Sequence, residues 1–512
     1  MVFRLISRLG FLAFAVCFAF ILSARAFAST YVPVGDDAYN MLFRLEAEGL
    51  ITSGLLDTLP ISRSEMQRLI SETEKNAAAR GRINKEDKQE IHLLKSRFGD
   101  GQKQRREYIR PLEEAYARYV YASSNPLGNG LNYSPAANPN GFVYDNNGDD
   151  YGNGSNFRLG FSSLADLGWF SFYINPEYRY TGTSQIDLNK MYGVVSAVGL
   201  DLEVGRDSQW WGPGHNGVIL LSNNSDPFTM IKLTNDRPAL LPWIFGYLGL
   251  TKFTAFVTKL GGNANPQNPY LWGLRIELKP LPYLEIGLAR VAQLGGRDRP
   301  EGLQTWINSF TGAGENGQNG AASDPGKQEA GGNVKVTLPF SFQPAQMYFE
   351  AAGTDQCGIL PCKWAKLAGI YLPRILNFNR FDFRAEYAND HVTGYPDVWY
   401  SRGTYNFTYP ADKDLIIGHH MGTDSDDLFL KTGYFIPEIG GRVYLSYDRE
   451  KHNLSGVTQP FKPVQNAATL GAYLYTKKNY SLNAQYTYGW ITDTPQGDLD
   501  INLFTMGVTR YF

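Results

Sequence analysis

Two adjacent tryptophans stand among polar residues in the stretch GRDSQWWGPGH, and the polar segment LSNN follows closely. Tryptophan rings can cover the apolar face of a sugar, while guanidinium, carboxylate and amide groups can bond its hydroxyls. We therefore predict a glycan-binding surface formed by Arg206, Asp207, Trp210, Trp211, His215, Asn223 and Asn224. A structural alternative stays open, in which the glycines bend a strand, one tryptophan anchors in a membrane interface, and the charges pair with one another.

A second polar cluster, GHHMGTDSDD, occupies residues 418–427. Imidazole and carboxylate groups can together bind a divalent ion, but the spacing lacks the D-x-D-x-D-G pattern of a calcium loop. His419 and His420 would also point to opposite faces of a strand, unless the chain turns there. We therefore expect a strand end followed by a solvated acidic turn, and we predict neither a metal nor a cofactor.

The sequence contains no nucleophile elbow, metalloprotease helix, phosphate loop or dinucleotide fingerprint. A Ser/His triad is assembled in space, so a membrane-embedded lipid-modifying hydrolase remains an alternative, but none of the six histidines is singled out for it. We predict that the chain is not an enzyme.

The N-terminus has the pattern of a secretory signal peptide. Arg4 and Arg8 form a positive region, an apolar core covers residues 9–22, and Ala26-Phe27-Ala28 offers a small-x-small cleavage site. A retained membrane anchor is the alternative, which the short apolar run disfavours. We predict a signal peptide over residues 1–28 and export from the cytoplasm.

The chain contains three cysteines, and Cys17 lies in the predicted signal peptide. Cys357 and Cys362 then remain as an even pair in an oxidising compartment, which predicts a disulfide between them. A zinc site would need further ligands, which the segment CGILPC does not supply.

Residues 29–110 are predicted to form a small helical bundle. Asp36 or Asp37 can cap a first helix that stops at Gly49, and Ser62 and Glu65 have the spacing of a capping box for a second. A third helix is expected from residue 84 to residue 99, and no catalytic cluster is visible in the bundle.

From about residue 115 onward, apolar and polar residues alternate. Phe381, Phe383 and Tyr387 fall on one face of a strand and Asp382 and Arg384 on the other. With 14% aromatic residues and 53 glycines, this pattern favours a membrane β-barrel with aromatic girdles over a soluble β-sandwich or propeller. We place the barrel domain at residues 111–512, and residues 115–512 would hold roughly 14 to 20 strands. The Gly/Asn-rich stretches 123–156 and 296–333 are predicted extracellular loops.

The last strand ends at Phe512, with Val508, Met506 and Phe504 on the same face. This pattern resembles the terminal strand by which barrel-insertion machinery recognises outer-membrane clients. Arg510 departs from it, because an apolar residue is usual there, but an arginine near the bilayer edge can extend to the interface. We predict insertion machinery and outer-membrane lipid as partners.

The combination of GRDSQWWGPGH, LSNNSDPF, the early Tyr31-Val32-Pro33, the later GHHMG and the terminal Phe512 resembles the Wzi-type capsule-assembly family of Gram-negative outer-membrane proteins. The resemblance covers nearly the whole mature chain. It implies a barrel of about 18 antiparallel strands with a periplasmic helical bundle, acting as a lectin that binds capsular or other surface polysaccharide and helps to attach or assemble it. The family has no single sugar, so no particular ligand is implied.

The formal net charge of -2 gives no reason to expect nucleic acid as a partner. A rival to the lectin function is an outer-membrane diffusion channel, or porin, whose inward charges would line an aqueous pore. The expected fold class is an all-β transmembrane barrel with a small N-terminal α-helical bundle.

Overall fold

The computed structural model of the chain describes residues 27–81, 83–99, 107–123, 142–261, 266–312, 326–357, 360–396, 398–400, 415–457, 460–476, 479–494 and 497–512, with only the backbone described for 355–357 and 360. Residues 1–26 of the predicted signal peptide lie outside these ranges, so its removal stays a prediction. Among the helices within these ranges, none combines the length and apolar character needed to cross a bilayer.

Three helices form where the sequence predicts them: α1 (Ala38–Ala47), α2 (Arg63–Arg80) and α3 (Lys85–Phe98). The Ser62 hydroxyl accepts a hydrogen bond from the backbone N–H of Glu65, and the Asn84 side chain accepts one from Asp87. These caps satisfy backbone donors that a first helical turn leaves without partners. Gly49 follows α1 with φ of 70°, a conformation that glycine adopts at least cost.

Within the described ranges, eighteen antiparallel strands form one closed barrel, with the two-residue stretch Ala239–Leu240 counted as a continuation of Phe228–Asn235, since both pair with Leu250–Lys259. They are β1 (Tyr108–Ala122), β2 (Gly154–Leu167), β3 (Phe170–Tyr180), β4 (Ser184–Ala197), β5 (Leu200–Asp207), β6 (Phe228–Asn235), β7 (Leu250–Lys259), β8 (Tyr270–Leu281), β9 (Leu284–Leu294), β10 (Gln328–Pro339), β11 (Pro344–Cys357), β12 (Leu360–Leu372), β13 (Phe381–Asn389), β14 (Asp426–Ile436), β15 (Gly441–Lys451), β16 (Val464–Tyr475), β17 (Tyr480–Thr492) and β18 (Leu499–Tyr511). Strand β18 closes the ring by pairing with β1, with Glu114 opposite Tyr511. The predicted fold class is therefore confirmed, including the strand number.

The barrel wall separates apolar from charged side chains, as the alternation predicts. On β13, Phe381 and Tyr387 are 41% and 45% exposed on the outer face, whereas Asp382 and Arg384 are 2% and 7% exposed inside. Apolar residues on the outer surface suit contact with hydrocarbon, and the charges find partners in the interior. The predicted facing of this strand is confirmed.

The helical segment closes one end of the barrel. Helix α1 packs against β10 and β11. The Arg44 guanidinium donates to the Pro373 carbonyl at 3.2 Å and lies over the Phe435 ring, with its central carbon 4.5 Å from the ring centroid. The helices enclose an apolar cluster that also includes Trp210 and Val218 from beyond β5. The helical segment and the barrel therefore share one interior.

Three predicted boundaries shift in the structure. Strand β1 begins at Tyr108, so the barrel starts three residues before the predicted position 111. The predicted loops 123–156 and 296–333 are too long at their C-terminal ends, because their last residues belong to β2 and β10. Glycine and asparagine content indicated loop there, but Gly331 and Gly332 pair with neighbouring strands on both sides, which the composition alone does not reveal.

The predicted disulfide lies at the β11–β12 connection. Cys362, on β12, is disulfide-bonded. The side chain of Cys357 lies outside the described residues, so its identity as the partner stays a prediction.

Candidate functional site

The segment between β5 and β6, residues 208–227, enters the barrel interior, and we call it the inner loop. Trp210–Trp211 form a short strand that pairs antiparallel with Thr58–Leu59, between α1 and α2. The Gly212 N–H donates to the Asp57 carbonyl at 2.8 Å. The WWGPG motif therefore joins the inner loop to the helical segment.

Both tryptophans of the motif are covered by protein. Trp211 is 0% exposed and meets Phe256 edge to face, with 5.3 Å between ring centroids. A Cβ at Gly273 would lie 2.7 Å from the Trp211 ring, so a glycine in the wall makes this close approach possible. Trp210, 8% exposed, packs in the apolar core of the helices. Neither tryptophan anchors in a membrane interface, as the structural alternative had it, because both side chains pack in the interior.

Arg206 and Asp207 lie at the end of β5, where the chain leaves the wall. Asp207 is buried and pairs with Lys190 at 2.9 Å. The Arg206 side chain is 27% exposed, donates through Nε to the Asn189 carbonyl at 3.2 Å, and lies 3.8 Å from Asp226. Of this adjacent pair, only Arg206 keeps a surface that a ligand could reach.

The barrel wall is short at Arg206, because β5 has eight residues whereas the neighbouring strand β4 has fourteen. Strand β5 pairs with Met191–Ala197 of β4, which leaves Ser184–Lys190 beyond the end of that pairing. Asp187 lies in this part of β4, which extends past the end of β5. Its side chain is 28% exposed and pairs with Arg179 at 3.0 Å. We call Asp187, Asn189 and Arg206 the notch residues; the charged side chains of Asp187 and Arg206 keep contact with water, whereas the side-chain oxygen of Asn189 is buried.

His215 faces the helical segment. Its ring meets Phe43 edge to face, with 4.4 Å between ring centroids, and its backbone N–H donates to the Glu386 carboxylate at 3.0 Å. Burial, together with the positive charges of Arg384 and Lys335, lowers the pKa of His215 well below its ordinary value. The imidazole is therefore neutral at physiological pH.

Asn223 and Asn224 hydrogen-bond the inner loop to two other segments inside the barrel, residues 142–153 and 415–425. The Asn223 side-chain amide donates to the Asp145 carbonyl at 2.9 Å, and the Asn224 amide donates to the Ile416 carbonyl at 3.2 Å. Both asparagines are nearly fully buried. The inner loop thus connects residues 142–153 with residues 415–425 inside the barrel.

The seven predicted site residues lie within one stretch of chain, 206–224. This stretch covers the end of β5 and most of the inner loop, which occupies the barrel interior. A family model described as "Capsule assembly protein Wzi" matches residues 134–497. The chain belongs to the Wzi capsule assembly family. Family membership and the closed barrel with its apolar outer surface identify an outer-membrane protein.

Two relatives of this Wzi-family chain are informative. The solved structure of Wzi from Escherichia coli, described as an outer membrane protein involved in group 1 capsule assembly and as a carbohydrate binding β-barrel, superposes with a TM-score of 0.74 at 18% identity over 94% of this chain and 100% of that chain. An uncharacterized 55.8 kDa protein in the cps region of Klebsiella pneumoniae is 24% identical over 359 residues, covering 68% of this chain and 63% of that protein. The match thus spans less than two thirds of the curated relative, and the structural likeness concerns the fold.

One expectation about this Wzi-family chain is wrong. The run Asp424 to Asp427 is not a solvated turn, because Asp424 is 3% exposed and Asp427 is 2% exposed. The chain also turns at residues 418–422, so His419 and His420 do not point to opposite faces of a strand. The Nε2 atoms of both histidines lie within 4 Å of Asp427. Sequence alternation missed this because the segment folds back against the inner wall.

The sequence also gave no indication of which groups fix the helical segment inside the barrel. Asp57 accepts from Lys335 at 2.5 Å, and Glu46 pairs with Lys279 at 3.0 Å. Inward lysines on β8 and β10 were visible as alternate strand residues. Their partners, Glu46 on α1 and Asp57 between α1 and α2, are more than 200 positions away in sequence, and no local pattern links them.

Proposed function

We propose that this Wzi-family barrel binds capsular or another surface polysaccharide and helps to attach or assemble it at the cell surface. The observation that carries the proposal is that the lumen is filled from within the chain, by the helical segment, the inner loop and the segments 142–153 and 415–425. A filled lumen suits a protein that holds a ligand on a shaped surface, and it is a poor conduit for solutes. The Escherichia coli relative is described as carbohydrate binding, which supports the same class of ligand here.

Within this proposal, Arg206 contacts the glycan directly and the other predicted site residues support it. Arg206 is part-exposed and donates to the Asn189 carbonyl, and the part-exposed Asp187 lies two residues from Asn189 on β4; guanidinium and carboxylate groups are usual partners of sugar hydroxyls. Asp207, Trp210, Trp211, Asn223 and Asn224 are buried, so they act by holding the inner loop in shape. His215, neutral and packed on Phe43, belongs with this supporting set.

We also propose that the helical segment faces the periplasm. It closes the barrel end at which consecutive strands are joined by short turns, such as 168–169, 198–199 and 282–283. Short turns are typical of the periplasmic side of outer-membrane barrels, and the longer connections lie outside. Outer-membrane lipid would contact the apolar outer face, and insertion machinery would act on the strand that ends at Phe512.

Surface retention of capsule tests the proposed function. In a strain whose own gene is deleted, the wild-type chain is expected to restore cell-associated capsule, and Arg206→Ala is expected to restore less. Arg237→Ala is the matched control, because Arg237 is also an exposed arginine but follows β6 at the opposite end of the barrel. Equal capsule retention by the two variants would contradict the role given to Arg206.

Two rival functions have their own readouts. An open diffusion channel would give a steady, large conductance in a planar bilayer, whereas the filled lumen predicts a conductance near the baseline. A lipid-modifying hydrolase would release fatty acid from outer-membrane lipid. We expect no release by the purified protein, because binding without bond cleavage is the function proposed here.

A further inference from the structure

A cluster of histidines and carboxylates lies between the loop 415–425 and the inner faces of β14 and β15, away from the notch residues. His419 and His420 come from the loop, Asp427 from β14, and Asp448 and Glu450 from β15. All five side chains are at least nine-tenths buried. His419, His420 and Asp427 each offer a ligand atom, and these three atoms lie within 4.8 Å of one another. The same is true of ligand atoms from His420, Asp448 and Glu450.

His420 is oriented as metal-binding histidines usually are. Its Nδ1 lies 2.8 Å from the Glu450 carboxylate, and its ring stacks on Tyr144 with 3.8 Å between ring centroids. A carboxylate on one ring nitrogen fixes the imidazole and directs the other nitrogen at the ion. That other atom, Nε2, contacts the backbone carbonyl of Asn216 and lies 3.9 Å from Asp427 Oδ2, within the distance that one shared ion can span.

The negative charge of the cluster is poorly balanced by its neighbours. In the described part of the chain, the ion pairs of Asp427 and Glu450 are with histidines alone. The Asn216 amide donates to one oxygen of Asp427 at 3.1 Å and to one of Asp448 at 3.0 Å. The second oxygens, Oδ1 of Asp427 and Oδ1 of Asp448, are buried and have no hydrogen-bond partner among the described residues. The two carboxyl groups also lie against each other, and such a buried pair is neutralised either by a shared proton or by a bound cation.

We propose that a divalent transition-metal ion binds here, held by His419, His420 and Asp427, with Asp448 within reach as a fourth ligand. The Nε2 atoms of the histidines lie 3.8 and 3.9 Å from Asp427 Oδ2. An ion about 2.1 Å from each ligand can bridge atoms up to about 4.2 Å apart. Imidazole with carboxylate selects zinc and its neighbours over calcium, which prefers oxygen ligands alone.

Bound metal would link the loop 415–425 to the barrel wall. The loop in turn contacts the inner loop, where the Ser222 N–H donates to the Ile417 carbonyl at 2.8 Å. The ion therefore would hold the filling of the lumen in place without touching the notch residues. This proposal stands independently of the glycan function.

Zinc binding by the purified full-length mature protein, without a polyhistidine tag, tests the site. After chelation and dialysis, equilibrium dialysis with Zn²⁺ followed by elemental analysis is expected to give one ion per chain. Asp427→Asn and His419→Gln are expected to weaken binding at least tenfold. His391→Gln is the control, because His391 pairs with Asp424 at 2.6 Å in the same region but lies outside the cluster. It is expected to bind as the wild type does.

Binding of no Zn²⁺ by the wild type, or equal binding by Asp427→Asn, would overturn the proposal. A variant could fail to fold, so a second measurement uses the wild type alone. Cobalt(II) is expected to develop the visible absorption of a four-coordinate site with nitrogen ligands, and Zn²⁺ is expected to displace it. A spectrum that stays that of hydrated cobalt would refute the site without any substitution.

Discussion

A carboxylate oxygen of Glu46 on α1 and the ammonium nitrogen of Lys335 on β10 lie 3.1 Å apart inside the barrel. Both side chains are almost fully buried, and Lys335 also meets Asp57 at 2.5 Å and Glu285 at 3.3 Å. One lysine of the wall thus compensates two carboxylates of the helical segment. The helical segment is therefore fixed to the barrel by charge as well as by apolar packing.

Lys335→Met is expected to destabilise the protein by about 3–5 kcal/mol, because it leaves Asp57 buried without its lysine and leaves Glu46 with Lys279 alone. The free energy of unfolding in detergent, measured with urea, checks this. Lys95→Met is the control: Lys95 pairs with Glu74 on the surface, and its loss should cost less than about 1 kcal/mol. Equal costs for the two variants would contradict the buried network.

Acid should weaken the contact between the N-terminal segment and α3. Asp36 receives two hydrogen bonds from Arg97, at 2.7 and 2.9 Å, and Arg97 also lies over the Tyr511 ring. Burial raises the pKa of Asp36, but the charge and hydrogen bonds of Arg97 outweigh it, and the net pKa is lowered. The ionised carboxylate therefore stabilises the native state above the unfolded pKa of about 3.9, and this contribution is lost as the pH falls through the lower native value.

Asp36→Asn tests this pH dependence, because the amide cannot ionise. Urea midpoints measured from pH 7 down to pH 3 should fall more steeply for the wild type than for the variant below about pH 4. At pH 7 the variant should already be the less stable of the two. Parallel pH profiles would show that Asp36 makes no such contribution.

Trp211→Ala should act through stability. Trp211 is wholly buried against Phe256 and Gly273, so the substitution leaves a cavity and should cost about 3–5 kcal/mol. Arg206→Ala, at a part-exposed side chain, should change the free energy of unfolding by less than about 1 kcal/mol. Thermal unfolding followed by circular dichroism separates the two, and a stable Trp211→Ala protein would contradict the buried placement.

The disulfide should join Cys362 to Cys357. Peptide mapping without reduction is expected to recover these two cysteines in one linked fragment. Replacing both by serine should lower the free energy of unfolding by about 2 kcal/mol, the value expected for so short a loop. A free thiol at Cys357 in the mapped protein would refute this pairing.

Local sequence patterns predicted the helices and strands well, whereas the burial of individual side chains depends on residues that are distant in sequence. Ser62 and Asn84 cap helices through residues three positions away, so their role is readable from sequence. The facing of Phe381 and Asp382 follows from strand alternation in the same way. Whether Trp211 is open to a ligand depends on Phe256 and Gly273, which lie on strands that the sequence does not assign as its neighbours.

The inner loop shows why site prediction was harder than fold prediction. The motif from Arg206 to Asn224 was recognisable as unusual, yet residue type alone could not separate a ligand-facing side chain from one that fills the lumen. Burial makes that distinction, and it depends on where residues 142–153 and 415–425 fold. Only Arg206 of the predicted set combines a charged group with a clearly exposed fraction at the notch.

The most direct measurement is binding of purified protein to capsular polysaccharide from the source strain, by isothermal titration calorimetry in detergent. We expect saturable binding by the wild type, at least tenfold weaker binding by Arg206→Ala, and unchanged binding by Arg237→Ala. A properly folded wild-type barrel that binds none of the surface polysaccharides of its own strain would contradict the proposed function.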